Sequence, residues 1–194
     1  MIPAVTASAM PGWRAWAIAL SIVAAAGAAL HALGRPPICT CGTIDLWHGG
    51  VSSAGNSQHL TDWYSPIHLL NGLVLYMVLR LVVPNAGIGP RFVAATLAEA
   101  GWEVLENTSA MIDRYRETTI SLGYYGDSMI NSASDIVMTS LGFLIAARAP
   151  VWLSVVLFVA AELVVGLAIR DGLILNVAML LWPLEAILTW QAGG

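Results

Sequence analysis

The chain has 194 residues, 58% of them hydrophobic and 10% charged, with a formal net charge of −4 and no lysine. A soluble domain is nearer a quarter charged, so this chain lacks the polar residues to cover a water-facing surface, and its mean hydropathy of +0.75 points to the bilayer as solvent. There is no basic tract, so no nucleic-acid partner is expected, while eight Trp and five Tyr suit anchoring at a membrane interface.

Residues 1–12 read as a short disordered lead. The first apolar run, 13–33, is long enough to span at about 1.5 Å per residue. Its length and weakly basic start favour an uncleaved helix over a signal peptide. Residues 34–62 hold two prolines and five glycines and form a polar loop. A second span is expected over 64–83, with Pro66 tolerated in its first turn. After a tight loop, a third span over 91–112 carries Glu99, Glu103, Glu106 and Asn107. Residues 113–126 are a second polar loop. A fourth span, 127–147, carries Asn131 and Asp135. Spans five and six are expected over 151–169 and 173–190, separated by Arg170, Asp171 and Gly172. The expected fold is all-α, a single polytopic transmembrane domain over 1–194 built as a bundle of about six helices.

Arginine counts on the two sets of connections tie at four each, so the positive-inside rule does not orient the bundle. Cys39 and Cys41 lean toward an oxidising exterior for the first loop, and both termini cytoplasmic is the working arrangement. The Cys39-Thr40-Cys41 spacing looks too tight for an easy disulfide; metal binding or pairing with another chain are the alternatives.

Seven of the twelve carboxylates and two of the eight arginines fall between Glu99 and Asp135. Charge in an apolar solvent is expensive, so this acidic island has to be explained. Glu99, Glu103 and Glu106 are spaced i, i+4, i+7, and Asp127, Asn131 and Asp135 i, i+4, i+8; each set shares one helix face. Spans three and four are antiparallel neighbours, so Asp127 should stand level with Glu106 or Asn107, Asn131 with Glu103, and Asp135 with Glu99. Alternation of spans puts loops 34–62 and 113–126 on one membrane face, where His59, Asp62 and His68 meet these acids. Asn71 and Asn176 project to the same depth.

Carboxylates this close cannot all ionise without a partner. A divalent metal ion is one solution, with His59, His68, Glu103, Glu106, Asp127 and Asp135 as candidate ligands. His59, Asp62, Glu99, Glu103 and Asp135 are the candidate catalytic groups. Arg114, Arg116, Asn107, Asn131 and Tyr125 are candidate substrate contacts, the arginines at the cavity mouth for a phosphate or carboxylate. Structural readings stand beside these. In them Asp127 caps span four, and Asn71 and Asn131 are interhelical glue. Trp102, Tyr124 and Tyr125 are belt residues, and Glu162 is a neutral, hydrogen-bonded acid. Glu99, Glu103 and Asp135 resist a structural reading best.

The strings EAGWEVLENTSAMIDRYRE, GYYGDSMINSASD, CTCG, WHGG and NSQHLTDWYSPIH resemble a family of uncharacterised small bacterial polytopic inner-membrane proteins, a domain of unknown function. The resemblance runs from span one through span four. It implies a multi-pass protein of the bacterial inner (plasma) membrane and transfers no role to any residue. Three functions remain: a metal-assisted enzyme acting on a lipid or lipid-linked head group, a transporter or cation-binding protein, and a structural or assembly factor. Membrane lipids are the expected partners in each.

Overall fold

The computed structural model describes residues 10–193; the expectation for residues 1–9 lies outside them. Among the described residues there are eight helices and no strand: α1 (Trp13–Ala32), α2 (Ser65–Val82), α3 (Ile88–Glu106), α4 (Ser109–Thr118), α5 (Met129–Arg148), α6 (Val151–Ile169), α7 (Leu173–Leu181) and α8 (Glu185–Gln191). Helices α1, α2, α5 and α6 are long and apolar enough to cross a membrane. Only 11% of the spanning window of α6 is buried, and a helix apolar on every side with so little covered requires an apolar solvent.

Three of the expected spans differ from the structure. The third ends at Glu106, and α4 follows as a separate helix. Asn107 makes the break: its side chain leaves the helix to pair with Asp127, donating to the carboxylate at 2.7 Å and accepting the Asp127 N–H at 2.7 Å. Helix α3 is long enough to span but carries Arg91 and three glutamates. The sixth expected span is two short helices, because Pro183 cannot continue a helix and pushes Trp182 out of helical geometry. The fourth begins at Met129, and its cap is Ser128, whose hydroxyl accepts the Asn131 N–H, rather than Asp127, which is engaged by Asn107.

The bundle is centred on α2 and α5, which run the same way and touch backbone to backbone. A Cβ at Gly72 would lie 2.6 Å from the Phe143 nitrogen and 2.9 Å from the Gly142 Cα. The Thr139 hydroxyl donates to the His68 carbonyl at 2.8 Å, and one turn further toward the loops Ser65 donates to Asp135 at 3.3 Å. Helix α3 packs antiparallel on this pair: Asn107 meets Asp127, Ala100 packs with Ile136, and Phe92 lies 5.7 Å from Phe143. Helix α1 covers α3 through Trp16 on Phe92 at 4.7 Å.

The loops between α1 and α2 and between α4 and α5 share one end of the bundle and bind each other, as alternation of spans requires. Ser128 N–H donates to the Ser57 carbonyl, the Gln58 amide to Gly126, and Met129 N–H to Pro36. The α6–α7 connection joins them, since the Tyr64 hydroxyl reaches both Ser121 and Asp171. Cys39 and Cys41 are joined as a disulfide, although their spacing looked too tight for an easy one. The turn at Thr40 holds their Cα atoms 5.1 Å apart, within the ordinary range for a bridge.

Candidate functional site

A cavity of about 310 Å³ opens beneath the joined loops, between α2, α3, α4, α5 and α7. Its polar wall comes from His68 and Asn71 on α2, Glu99 and Glu106 on α3, Asn131 and Asp135 on α5, and Asp127 and Tyr124 from the loop. Its other wall is apolar: Ile67, Val74, Leu75, Ala98, Leu173 and Val177. On the side away from the loops, Leu73, Tyr76, Phe92 and Phe143 form a buried cluster that closes the bundle.

His68 organises one half of the acids. Its Nδ1 lies 2.5 Å from a Glu99 oxygen. Nδ1–H donates to this carboxylate, and Nε2 faces Asp135, 3.8 Å away. Glu103 stands 3.6 Å from the same Nδ1. Both latter distances are too long for hydrogen bonds, and ligand atoms of His68, Glu103 and Asp135 lie within 4.8 Å of one another.

The other half is Glu103, Glu106 and Asp127, whose oxygens also lie within 4.8 Å of one another. Tyr124 donates to both Asp127 oxygens at 3.0 Å, and Tyr115 reaches Glu106 at 3.4 Å and Asn176 at 3.3 Å. Burial pushes the Asp127 carboxyl up from the usual carboxylate range, and hydrogen bonds with Glu106, Asn107 and Tyr124 hold it back. Burial, reinforced by the charges of Asp127 and Glu106, pushes the Tyr124 hydroxyl up too, which keeps it a donor.

Glu103 belongs to both halves. It is fully buried, and neither of its oxygens has a hydrogen-bond partner among the described residues. An uncompensated buried carboxylate costs several kcal/mol, and ligand atoms of both trios lie within 4.8 Å of this one.

The sequence expectation of two convergent acidic faces is what the helices present: Glu99, Glu103, Glu106, Asp127, Asn131 and Asp135 are all buried. Other expected groups lie elsewhere. His59 does not line the cavity. Its Nδ1 accepts the Asp45 N–H at 3.0 Å, its ring stacks on His48 at 4.9 Å, and only its carbonyl meets the site, accepting from Asn131 at 2.9 Å. Asp62 spends both oxygens on backbone N–H groups of Ser57 and Tyr64, folding the loop into α2. Burial raises its pKa, with those two hydrogen bonds opposing.

Neither arginine stands at the mouth. Arg114 forks onto the Leu180 carbonyl at 2.7 and 3.1 Å, one of the acceptors the α7 terminus leaves free. Arg116 binds the Tyr124 carbonyl and lies 3.7 Å from Asp113. Tyr125 donates to the Ala54 carbonyl at the surface. Asn107 positions Asp127 and is not itself in the lining, and Glu103 stands behind the lining, among His68, Glu106, Asp127 and Asp135. Tyr115 carried no signal of its own. Asn71 and Asn176, expected at this depth, line the cavity, and so do Trp102 and Tyr124. Glu162, a lone acid in α6, caps α7 from outside, accepting the Leu173 and Ile174 N–H groups at 2.7 and 3.2 Å.

The sequence model of a family described as "Protein of unknown function (DUF2585)" matches residues 30–193. The chain belongs to this family. The matched region contains every side chain of the cavity. Among curated bacterial relatives, a UPF0314 protein of Paracoccus denitrificans is 55% identical over 178 residues, covering 92% of each chain. One of Sphingopyxis alaskensis is 48% identical over 179 residues, covering 92% of this chain and 95% of its own. One of Rhizobium etli is 49% identical over 179 residues and 92% of each. No solved structure matches this DUF2585 chain.

Proposed function

We propose that this chain is a multi-pass protein of the bacterial inner membrane that binds a divalent cation in the α2–α3–α5 cavity and uses it on the head group of a lipid or lipid-linked substrate. The observation that carries the reading is Glu103, buried to 0% with both oxygens unpartnered between His68 and Asp135 on one side and Glu106 and Asp127 on the other. A mixed oxygen and imidazole donor set suits Mn, Fe or Zn better than Ca. Glu99 on the Nδ1–H of His68 supplies the outer-shell partner that metal-binding histidines use. A bound ion would act as a Lewis acid on a phosphoryl or acyl oxygen.

The lipid component of the proposal rests on the shape of the cavity. It opens beneath the loops, and its acids and histidine stand beside apolar side chains of α2, α3 and α7, as a head group with an attached chain would require. A transporter would need a polar path to the opposite face, and the Leu73, Tyr76, Phe92 and Phe143 cluster closes that direction.

Elemental analysis of the detergent-purified protein is the test. The wild type is expected to retain Mn, Fe or Zn through gel filtration, and Glu103→Gln to lose it. Reconstituted into vesicles of phosphatidylethanolamine, phosphatidylglycerol and a polyprenyl phosphate, the metal-loaded protein should alter one head group, read by lipid mass spectrometry. A wild type that retains none of these metals refutes the reading.

A further inference from the structure

We infer that the acid cluster beside the cavity holds two divalent ions, bridged by the Glu103 carboxylate. The inference deepens the metal reading above and rests on it. The first ion would take an imidazole nitrogen of His68, Asp135 and one Glu103 oxygen; the second would take Glu106, Asp127 and the other. Each trio has ligand atoms within 4.8 Å of one another, and Glu103 is the one residue the two share. Both of its oxygens are buried and free of hydrogen bonds. A residue that served one ion would leave its second oxygen to a protein donor. None is provided, although Asn107, Tyr124 and Ser65 supply donors to the neighbouring acids Asp127 and Asp135.

Charge favours two ions over one. Glu99, Glu103, Glu106, Asp127 and Asp135 are five buried carboxylates around a single histidine. The chain has no lysine. The nearby arginines, Arg35, Arg114 and Arg116, are bound to the carbonyls of Tyr125, Leu180 and Tyr124. With all five ionised, one divalent ion would leave three of the negative charges uncompensated, and two would leave one. The second half also has its own support. Tyr124 and Asn107 fix Asp127, and Tyr115 reaches Glu106, so these acids are held in place independently of His68.

The ligand chemistry that fits is a phosphoryl or carboxylate group able to span two ions about 3.5–4 Å apart. The wall of Val74, Leu75, Ala98 and Val177 leads an apolar chain away from that point.

The experiment uses Mn²⁺ alone as the probe. Full-length protein in detergent is stripped with chelator, reloaded, passed through gel filtration, and measured for Mn per chain and by electron paramagnetic resonance. The wild type is expected to hold about two Mn²⁺ per chain with the exchange-coupled spectrum of a bridged pair. Asp127→Asn and Glu106→Gln are expected to halve the content and leave an uncoupled signal. One uncoupled Mn per wild-type chain overturns the two-ion site and leaves the single-ion reading standing. No Mn, with no Fe or Zn on purification, overturns both. Two Mn that persist in both variants overturn the assignment of the second ion to Glu106 and Asp127. The wild-type stoichiometry decides even if a variant fails to fold.

Discussion

Gly72→Ala tests whether the backbone contact between α2 and α5 is what holds the site together. The new Cβ would lie 2.6 Å from the Phe143 nitrogen and 2.9 Å from the Gly142 Cα, and would also meet the Thr139 carbonyl oxygen. Every one of these atoms is backbone or glycine, so no side chain can swing away. Ordinary contact begins near 3.4 Å, and the helices must therefore part by roughly 1 Å. Overpacking of this kind costs about 1–3 kcal/mol, a factor of roughly 5 to 150 in the folding equilibrium. The displacement falls one turn from His68 and two turns from Ser65, whose contacts to Asp135 cross the same interface. Thermal unfolding in detergent should show a clear loss of stability, and Mn²⁺ retention should fall with it. Gly101→Ala is the control, since its Cβ meets nothing within 4 Å; in a helix interior it should gain about 0.5–1 kcal/mol. If Gly72→Ala unfolds with the wild type and keeps its metal, the α2–α5 contact does not position His68 against Asp135.

Glu162→Ala should destabilise by about 1–3 kcal/mol, because it strips the acceptors from the Leu173 and Ile174 N–H groups at the start of α7; an unchanged denaturation midpoint would remove the capping role. Asp171 is pushed up from 3.8 to about 6, chiefly by burial, with hydrogen bonds from Gly172, Asn176 and Tyr64 opposing. Between those two values the folded state binds the proton more tightly than the unfolded one, so this group's contribution is fully present below pH 4 and is lost as pH rises through 6, by about 3 kcal/mol. Asp171→Asn should remove that slope, and a wild-type-minus-variant stability difference that is flat from pH 4 to 7 would contradict it.

Much of the arrangement is legible in the sequence because it follows from two periodicities and one energetic rule. The i, i+4, i+7 spacing of Glu99, Glu103 and Glu106 fixes a face, the chain reversal sets Asp127 level with Asn107, and the cost of charge in lipid turns both faces inward. The loops are less legible. Nothing local says that His59 will accept from Asp45 or that Asp62 will take two backbone N–H groups, since both depend on how residues 34–62 close on themselves. The close contact of Gly72 with Gly142 is invisible for a related reason. Glycines are frequent in membrane helices, and only the packed pair reveals which of them replaces a side chain with a neighbouring backbone. Pro183 did carry a readable signal against a continuous last span.

The arginines show where the charge argument goes furthest and where it turns. Acids and arginines concentrated in one stretch invite pairing, and on charge alone Arg114 and Arg116 belong beside Glu103. But α7 ends at Leu181, and a helix terminus leaves carbonyls that need donors. Arg114 takes the Leu180 carbonyl with two N–H groups, and Arg116 takes the Tyr124 carbonyl. In the same way Arg35 takes Tyr125 and packs where Gly126, at φ +94°, leaves room. Each cation therefore closes the loop layer over the cavity instead of neutralising it. The acids beneath are buried and mutually close around His68. With the arginines engaged by carbonyls and both Glu103 oxygens without a hydrogen-bond partner among the described residues, a cation bound as proposed above would be the group that compensates them.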